Sequence, residues 1–222
     1  MTGHNIQVWR VEDGKLLRTL AGHTGHVNTV AFAPDGNLLA SGAEDDMVQL
    51  WQAANGAQLQ TLIGRGGIVE SVAFSTDSQT LASGSWDRRI RLWRVSDGTL
   101  LQTLESHKDY VNSVSFSLDG GTLASGSSDN TIQLWQTTNG VPIRTLTGHQ
   151  GDVTSVAFAP GNQILGSTSS DKTVFPWGLA DGTVLRKLTR HSGDVSSVAF
   201  APDGKTLASG GDRTVRIWGV AP

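Results

Sequence analysis

The sequence predicts an all-β chain, a β-propeller of four-stranded antiparallel blades with about five blade equivalents in an open or incomplete ring. Three observations lead there. Trp9, Trp51, Trp93, Trp135, Trp177 and Trp218 follow one another at steps of 42, 42, 42, 42 and 41 residues. The turn pairs Asp13–Gly14, Asn55–Gly56, Asp97–Gly98, Asn139–Gly140 and Asp181–Gly182 also step by 42. Two independent features with one period identify an internal repeat. Finally, glycine makes up 27 of 222 residues and proline only 6, and no segment shows helical periodicity.

The unit 107–146 shows the elements in order. YVNSVSFS (110–117) alternates and reads as a first strand, and LDGG turns the chain. TLASGS (122–127) is a second strand, TIQLWQ (131–136) a third and VPIRTL (141–146) a fourth. Asn-Gly and Asp-Gly accept the positive φ angles that tight hairpins demand. A four-stranded sheet this small cannot bury both faces alone and must stack on copies of itself, the logic of a propeller blade.

Along the chain, residues 5–20 supply a third and a fourth strand. Complete blades are expected at 27–62, 69–104, 110–146 and 153–188. Residues 195–219 supply only three strands. The last tryptophan step is shorter because SGGD (209–212) has one residue fewer than SGSSD (125–129). The expected organisation is one domain over 1–222, with a partial repeat at 1–20, blades at about 21–63, 64–105, 106–147 and 148–189, and an incomplete last blade at 190–222. The strand at 15–20 could fill the gap in the last blade, which would leave 5–10 as a spare third strand. An open arc, read as a piece of a longer protein, is expected over a ring completed by a second copy or a strained five-bladed ring.

Composition excludes several classes of function. There is no cysteine, hence no disulfide framework, thiolate metal site or cysteine nucleophile. Net charge is −3 with no basic block, which disfavours nucleic acid and anionic membranes as partners. No apolar run reaches membrane-spanning length. No metal or cofactor motif is found. GRGG (64–67) precedes a strand rather than a helix and is a poor phosphate cradle. His26, Glu44 and Asp46 read as solvated turn residues.

The pattern GH, strand, PDG, LASGSxD, TIxLW resembles the WD-repeat β-propellers, in the manner of bacterial arrays of near-uniform repeats. GHTGHVNTVAFAPDGNLLASGAEDDMVQLW (22–51) carries it most fully, and the resemblance spans essentially the whole chain. One departure is general: the aspartate expected after each tryptophan is replaced by Arg10, Gln52, Arg94, Gln136, Gly178 and Gly219. The resemblance implies a hydrogen-bonded chain inside each blade, from aspartate to histidine to serine to tryptophan. The sets are His23, Ser41, Asp45 and Trp51; His107, Ser125, Asp129 and Trp135; His149, Ser167, Asp171 and Trp177; and His191, Ser209, Asp212 and Trp218. A Ser/His/Asp cluster also invites a hydrolase reading, but an enzyme needs one triad rather than one per blade. Arg65 stands where blade two should have histidine and could pair with Asp87 or swing to solvent. Pro176 stands in a third strand, where it predicts a bulge or weakened pairing near 175–177.

On repeat proteins, loops that vary between repeats are the places to look for binding. One sector combines residue types favoured at binding hot spots: Glu70, Trp86, Arg88, Lys108, Tyr110 and Asn112. Trp86 either presents itself to a partner or folds down over its own blade edge. The expected function is a non-catalytic protein-interaction scaffold, part of a larger signalling or regulatory protein. It would bind a protein or peptide on the rim of the His/Asp turns, in the cytoplasm, with no cofactor, nucleic acid or membrane. Self-association through unpaired blade edges is a further expectation. The alternatives are a hydrolase using one Ser/His/Asp set, or a small-ligand or glycan-binding propeller.

Overall fold

The computed structural model describes residues 4–64 and 66–219, and all regular structure among them is β. A hairpin of β1 (Asn5–Trp9) and β2 (Leu16–Ala21) comes first. Blade 1 is β3 (Val27–Phe32), β4 (Leu38–Ala43), β5 (Met47–Gln52) and β6 (Gln58–Ile63). Blade 2 is β7 (Val69–Phe74), β8 (Thr80–Ser85), β9 (Arg89–Arg94) and β10 (Leu100–Glu105). Blade 3 is β11 (Val111–Phe116), β12 (Thr122–Ser127), β13 (Thr131–Gln136) and β14 (Pro142–Thr147). Blade 4 is β15 (Val153–Phe158), β16 (Ile164–Ser169), β17 (Val174–Gly178) and β18 (Thr183–Val184). Blade 5 has three strands, β19 (Val195–Phe200), β20 (Thr206–Gly211) and β21 (Thr214–Gly219). Within every sheet, consecutive strands pair antiparallel.

Local chemistry explains the turns. Gly56, Gly98 and Gly140 close the hairpins between third and fourth strands at φ 78°, 72° and 69°, the left-handed region that an L side chain enters only at a cost. The first strands stand side by side from blade to blade, so that each sheet packs on the next. Gly84 and Gly126 permit that approach: a Cβ there would come within 2.7 and 2.6 Å of Val111 and Val153 on the following blade. Apolar clusters fill the gaps. Leu50 and Leu62 of blade 1 pack with Val72, Leu81 and Trp93 of blade 2, and Leu92 and Leu104 of blade 2 pack with Val114, Leu123 and Trp135 of blade 3.

Each first strand slips register against its second strand at one place, between Val27 and Thr29, Val69 and Ser71, Val111 and Ser113, Val153 and Ser155, and Val195 and Ser197. This recurrent bulge re-aims the residue it contains. Those residues are Asn28, Glu70, Asn112, Thr154 and Ser196.

Of the two outcomes expected at Pro176 the bulge does not form, since β16 and β17 pair without a register shift from Ile164–Gly178 to Thr168–Val174. Weakened pairing does occur, on the side of the fourth strand. The Pro176 carbonyl accepts from the Leu185 N–H at 2.8 Å. The N–H and C=O of one strand residue face the same neighbour, so the donor missing from proline is the one facing the outer strand. That strand, expected to run to 188, shrinks to Thr183–Val184, followed by a single bridge between Val174 and Leu188. One expectation is corrected, that for the strand at 15–20. It does not complete blade 5; β2 pairs with β1, and among the described residues β21 has no fourth strand beside it. Joined by a short turn, β1 is the nearest partner for β2, and closing a long loop to reach β21 costs more entropy. The β1–β2 hairpin instead lays Ile6 and Leu20 over Leu39 and Trp51 of blade 1. The sheets do not close into a ring. Among the described residues no helix is long and apolar enough to cross a membrane.

Candidate functional site

The histidine sets come together in four of the five blades. In blade 1, His23 Nδ1 lies 2.9 Å from Asp45, His23 Nε2 lies 2.7 Å from Ser41 Oγ, and Trp51 Nε1 donates to the same Oγ at 2.8 Å. Blade 3 repeats this with His107, Asp129, Ser125 and Trp135 at 2.9, 2.8 and 2.9 Å. Blade 4 does so with His149, Asp171, Ser167 and Trp177 at 3.0, 2.7 and 2.8 Å. In blade 5, His191, Asp212, Ser209 and Trp218 give 2.9, 2.8 and 2.8 Å.

The indole only donates, so the serine oxygen accepts from it, and the same hydroxyl shares a second bond with His Nε2. A carboxylate only accepts, so His Nδ1 donates to the aspartate. Each bond contributes about 1 kcal/mol net, and leaving one member unpaired in the interior costs more. The serines Ser41, Ser125 and Ser167 are fully buried and Ser209 is 1% exposed. Each oxygen is already committed to an indole, which leaves no path for a substrate carbonyl to any of them.

The aspartates collect further donors. Burial raises the Asp129 carboxyl, but hydrogen bonds from His107, the Thr131 hydroxyl and the Lys108 backbone N–H outweigh it and hold the group well below the carboxylate range. At Asp171 burial is likewise outweighed, by Thr173, the Gln150 backbone N–H and His149, and the pKa falls to about 2. The Asp-x-Thr spacing at Asp129–Thr131, Asp171–Thr173 and Asp212–Thr214 places the hydroxyl at 2.6, 2.5 and 2.6 Å from the carboxylate. This contact was readable in the sequence as a side chain bonding two residues back.

Blade 2 is built otherwise. Arg65, expected to face Asp87, lies outside the described residues. Trp93 still donates to Ser83 at 2.9 Å. Asp87, with its side chain 10% exposed, is held by Arg91 Nη2 at 2.5 Å, and Arg91 is itself buried. Sequence reasoning missed Arg91. Arg91 stands where blades 1 and 3 have Gln49 and Gln133, but blade 5 also has an arginine there, Arg216, beside its histidine, so only the coincidence with a missing histidine pointed to Arg91.

The variable rim residues fall into two groups. Trp86, in the turn between β8 and β9, stacks on Tyr110, in the turn before β11, with ring centroids 4.7 Å apart and planes 12° from parallel. Trp86 thus leans on the neighbouring blade rather than covering its own edge, and it remains 39% exposed beside a 43% exposed Tyr110. Trp86 Nε1 donates to Glu70 Oε2 at 3.2 Å. Burial raises the Glu70 carboxyl above its ordinary value, the indole N–H opposes this, and the nearby Glu44 charge adds to the rise. Asn112 is separate from this cluster: its amide donates to Ser128 Oγ and to the Val153 carbonyl, both at 3.0 Å, and ties blade 3 to blade 4. Arg88 is exposed at φ 71°, and the exposed Lys108 gives its backbone N–H to Asp129.

A cleft of about 950 Å³ opens between blades 4 and 5, walled by Pro176, Leu179, Leu185, Leu207 and Trp218, where the shortened β18 leaves the sheet uncovered. No cluster of metal-ligating side chains occurs among the described residues.

The family WD domain, G-beta repeat matches residues 14–52, 56–94, 98–136, 140–175 and 182–219. The chain is similar to the periodic tryptophan protein 2 homolog of Neurospora crassa, 51% identical over 41 residues, which cover 18% of this chain and 5% of that protein. It is similar also to the small ribosomal subunit protein RACK1 of Medicago sativa, 62% identical over 34 residues, and to RACK1z of Arabidopsis thaliana, 65% identical over 34 residues. Both matches cover 15% of this chain and 10% of the relative. These likenesses are about one repeat long, whereas the family matches run through every blade, and so the chain belongs to the WD-repeat family.

Proposed function

We propose that this chain is a protein-interaction scaffold without chemistry of its own, docking a partner protein or peptide on the rim of the His/Asp turns. The surface is centred on Glu70, Trp86 and Tyr110, with Arg88 and Lys108 at its border. The observation that carries the reading is the half-exposed Trp86–Tyr110 stack, which joins two blades and is held on a rigid scaffold. The buried serines argue against the hydrolase reading. Membership in a larger signalling or regulatory protein, a single domain over 1–222 and a cytoplasmic location belong to the same proposal. Relatives named as proteins of the small ribosomal subunit support a role within assemblies. Affinity capture with wild type and Trp86→Ala, followed by direct titration of the purified partner, tests it. Loss of binding with an unchanged melting temperature is expected; equal binding by both chains overturns the reading.

A second observation favours self-association. Val72, Val114, Val156 and Val198 are 5–7% exposed because the preceding blade covers them, whereas their counterpart Val30 is 51% exposed and Phe32 beside it 57%. At the other end Val215 and Ile217 are 73% and 67% exposed, although their counterparts Val48 and Leu50 are buried. The β1–β2 hairpin already covers Leu39 and Trp51, so these are two partly uncovered apolar patches at opposite ends of the row of blades, surfaces through which copies of the chain can associate. Light scattering across a concentration series should show mass rising with concentration. A constant monomer mass excludes this association.

A further inference from the structure

The Trp86 surface has a chemical bias that the neighbouring blades lack. At the recurrent bulge, the side chains of Asn28 and Asn112 donate to the carbonyls of Val69 and Val153 on the next blade, at 3.3 and 3.0 Å. Thr154 does the same to the Val195 carbonyl. Glu70 occupies this position in blade 2, and an ionised carboxylate has no proton to donate. The corresponding Val111 carbonyl therefore receives no donor from Glu70, and the Glu70 carboxylate has the Trp86 indole N–H as its side-chain donor. Glu70 is half-buried, and the exposed Glu44 of blade 1 lies near enough to raise its pKa further. Among the described residues neither Glu44 nor Glu70 forms an ion pair. Arg88 and Lys108 belong to the adjoining turns and make no hydrogen bond to either carboxylate.

Over these acceptors stand two flat rings. Trp86 and Tyr110 each spend one face on the other and remain 39% and 43% exposed. Aromatic faces attract cations, and a guanidinium is planar, weakly hydrated and carries five donors in a fixed fork. An ammonium supplies charge without the plane. Resting on the scaffold reading above, we propose that the Trp86–Tyr110 stack and Glu70 receive an arginine side chain of the partner, with its guanidinium lying against the rings and donating to the Glu70 carboxylate.

The probe is the capped peptide Gly-Gly-Arg-Gly-Gly, titrated into the full chain while the Trp86 indole N–H is followed by NMR. Lysine and citrulline versions serve as comparators, citrulline keeping the shape of arginine without its charge. The arginine peptide should shift the indole resonance saturably, with citrulline at least tenfold weaker and lysine weaker than arginine. Glu70→Gln is the decisive variant, because its amide oxygen still accepts from Trp86 while the charge is gone; it should weaken arginine binding at least tenfold at unchanged melting temperature. Equal binding of citrulline, equal or tighter binding of lysine, or an unaffected Glu70→Gln overturns the inference. The two readings fail separately. If the partner is lost with Trp86→Ala but kept with Glu70→Gln, the rim still docks a partner and the arginine assignment is wrong.

Discussion

Blades 2 and 3 are made from the same repeat and yet hold their turn aspartate in different ways. Both have four paired strands, a buried serine and an indole bonded to it at 2.9 Å. In blade 3 the carboxylate of Asp129 receives an imidazole N–H from the turn before the first strand. In blade 2 the carboxylate of Asp87 receives a guanidinium from within its own third strand. The difference teaches that the fold requires donors for a buried carboxylate, not a histidine as such. It also shows where freedom arises, since with Asp87 satisfied from β9, the turns of blade 2 diverge and carry Trp86 and Arg88.

The comparison breaks hardest at Arg91. Arg91→Leu leaves Asp87 buried with its main partner gone, and unfolding by denaturant should show a loss of about 3–5 kcal/mol. A loss under about 1 kcal/mol would mean that the ion pair does not organise the turn. The sharper form installs the blade 3 pattern: in an Arg91→Gln background, Arg65→His should recover part of the lost stability. No recovery would show that blade 2 has committed its backbone to the arginine solution.

Next in size is His107→Ala, which strips a donor from Asp129 and a hydrogen-bond partner from Ser125 at once. A loss of about 2–3 kcal/mol in the same measurement is expected. Little change would mean that Thr131 and the Lys108 N–H suffice for Asp129.

Acid should separate the two designs without any mutation. Burial lowers the pKa of His149 below its ordinary value, and it outweighs the opposing hydrogen bond and charge of Asp171. A group with a depressed folded-state pKa contributes stability that is complete above the unfolded value, here about 6.5, and is lost as the pH falls towards the folded pKa. Amide exchange in blade 4 should therefore quicken as the pH is lowered from 7 to 5, after correction for intrinsic rates, while blade 2, which has no histidine, holds. The depressed carboxylate pKa of Asp171, about 2, keeps its contribution complete above about 3.8 and loses it only as the pH falls between those values. Equal acceleration in both blades near pH 6 would contradict the assignment.

Pro176→Leu returns the donor that blade 4 lacks towards its outer strand. A gain of about 1 kcal/mol and new exchange protection across 183–188 are expected. Unchanged exchange there would place the cause of the short β18 elsewhere. Smallest of all, Trp86→Ala should alter stability by no more than about 0.5 kcal/mol, as befits a side chain kept for contact rather than packing. A larger loss would make the Trp86–Tyr110 stack a structural strut.

The strand order, the hairpin turns and the His, Ser, Asp and Trp sets were legible because they are contacts inside one repeat, separated by 9 to 22 residues and copied with each period. Proline at 176 announced a defect, but its side could be known only once the carbonyl of Pro176 was seen facing Leu185. Arg91 was hard to single out, because blade 5 carries an arginine, Arg216, at the same position beside a histidine.

By itself, then, the sequence determined the blade, since alternating short strands and Gly-containing turns admit one local solution and the period repeats it. Only the tertiary structure decided what meets across blades. Trp86 and Tyr110 lie in different repeats, and their stacking follows from how one sheet sits on the next. The choice of β1 rather than β21 as the partner of β2 was likewise open in the sequence, because β1 and β21 are copies of one strand and offer the same edge. Repetition makes within-blade contacts redundant and readable, and for the same reason it leaves competing partners alike, to be separated by chain connectivity and packing alone.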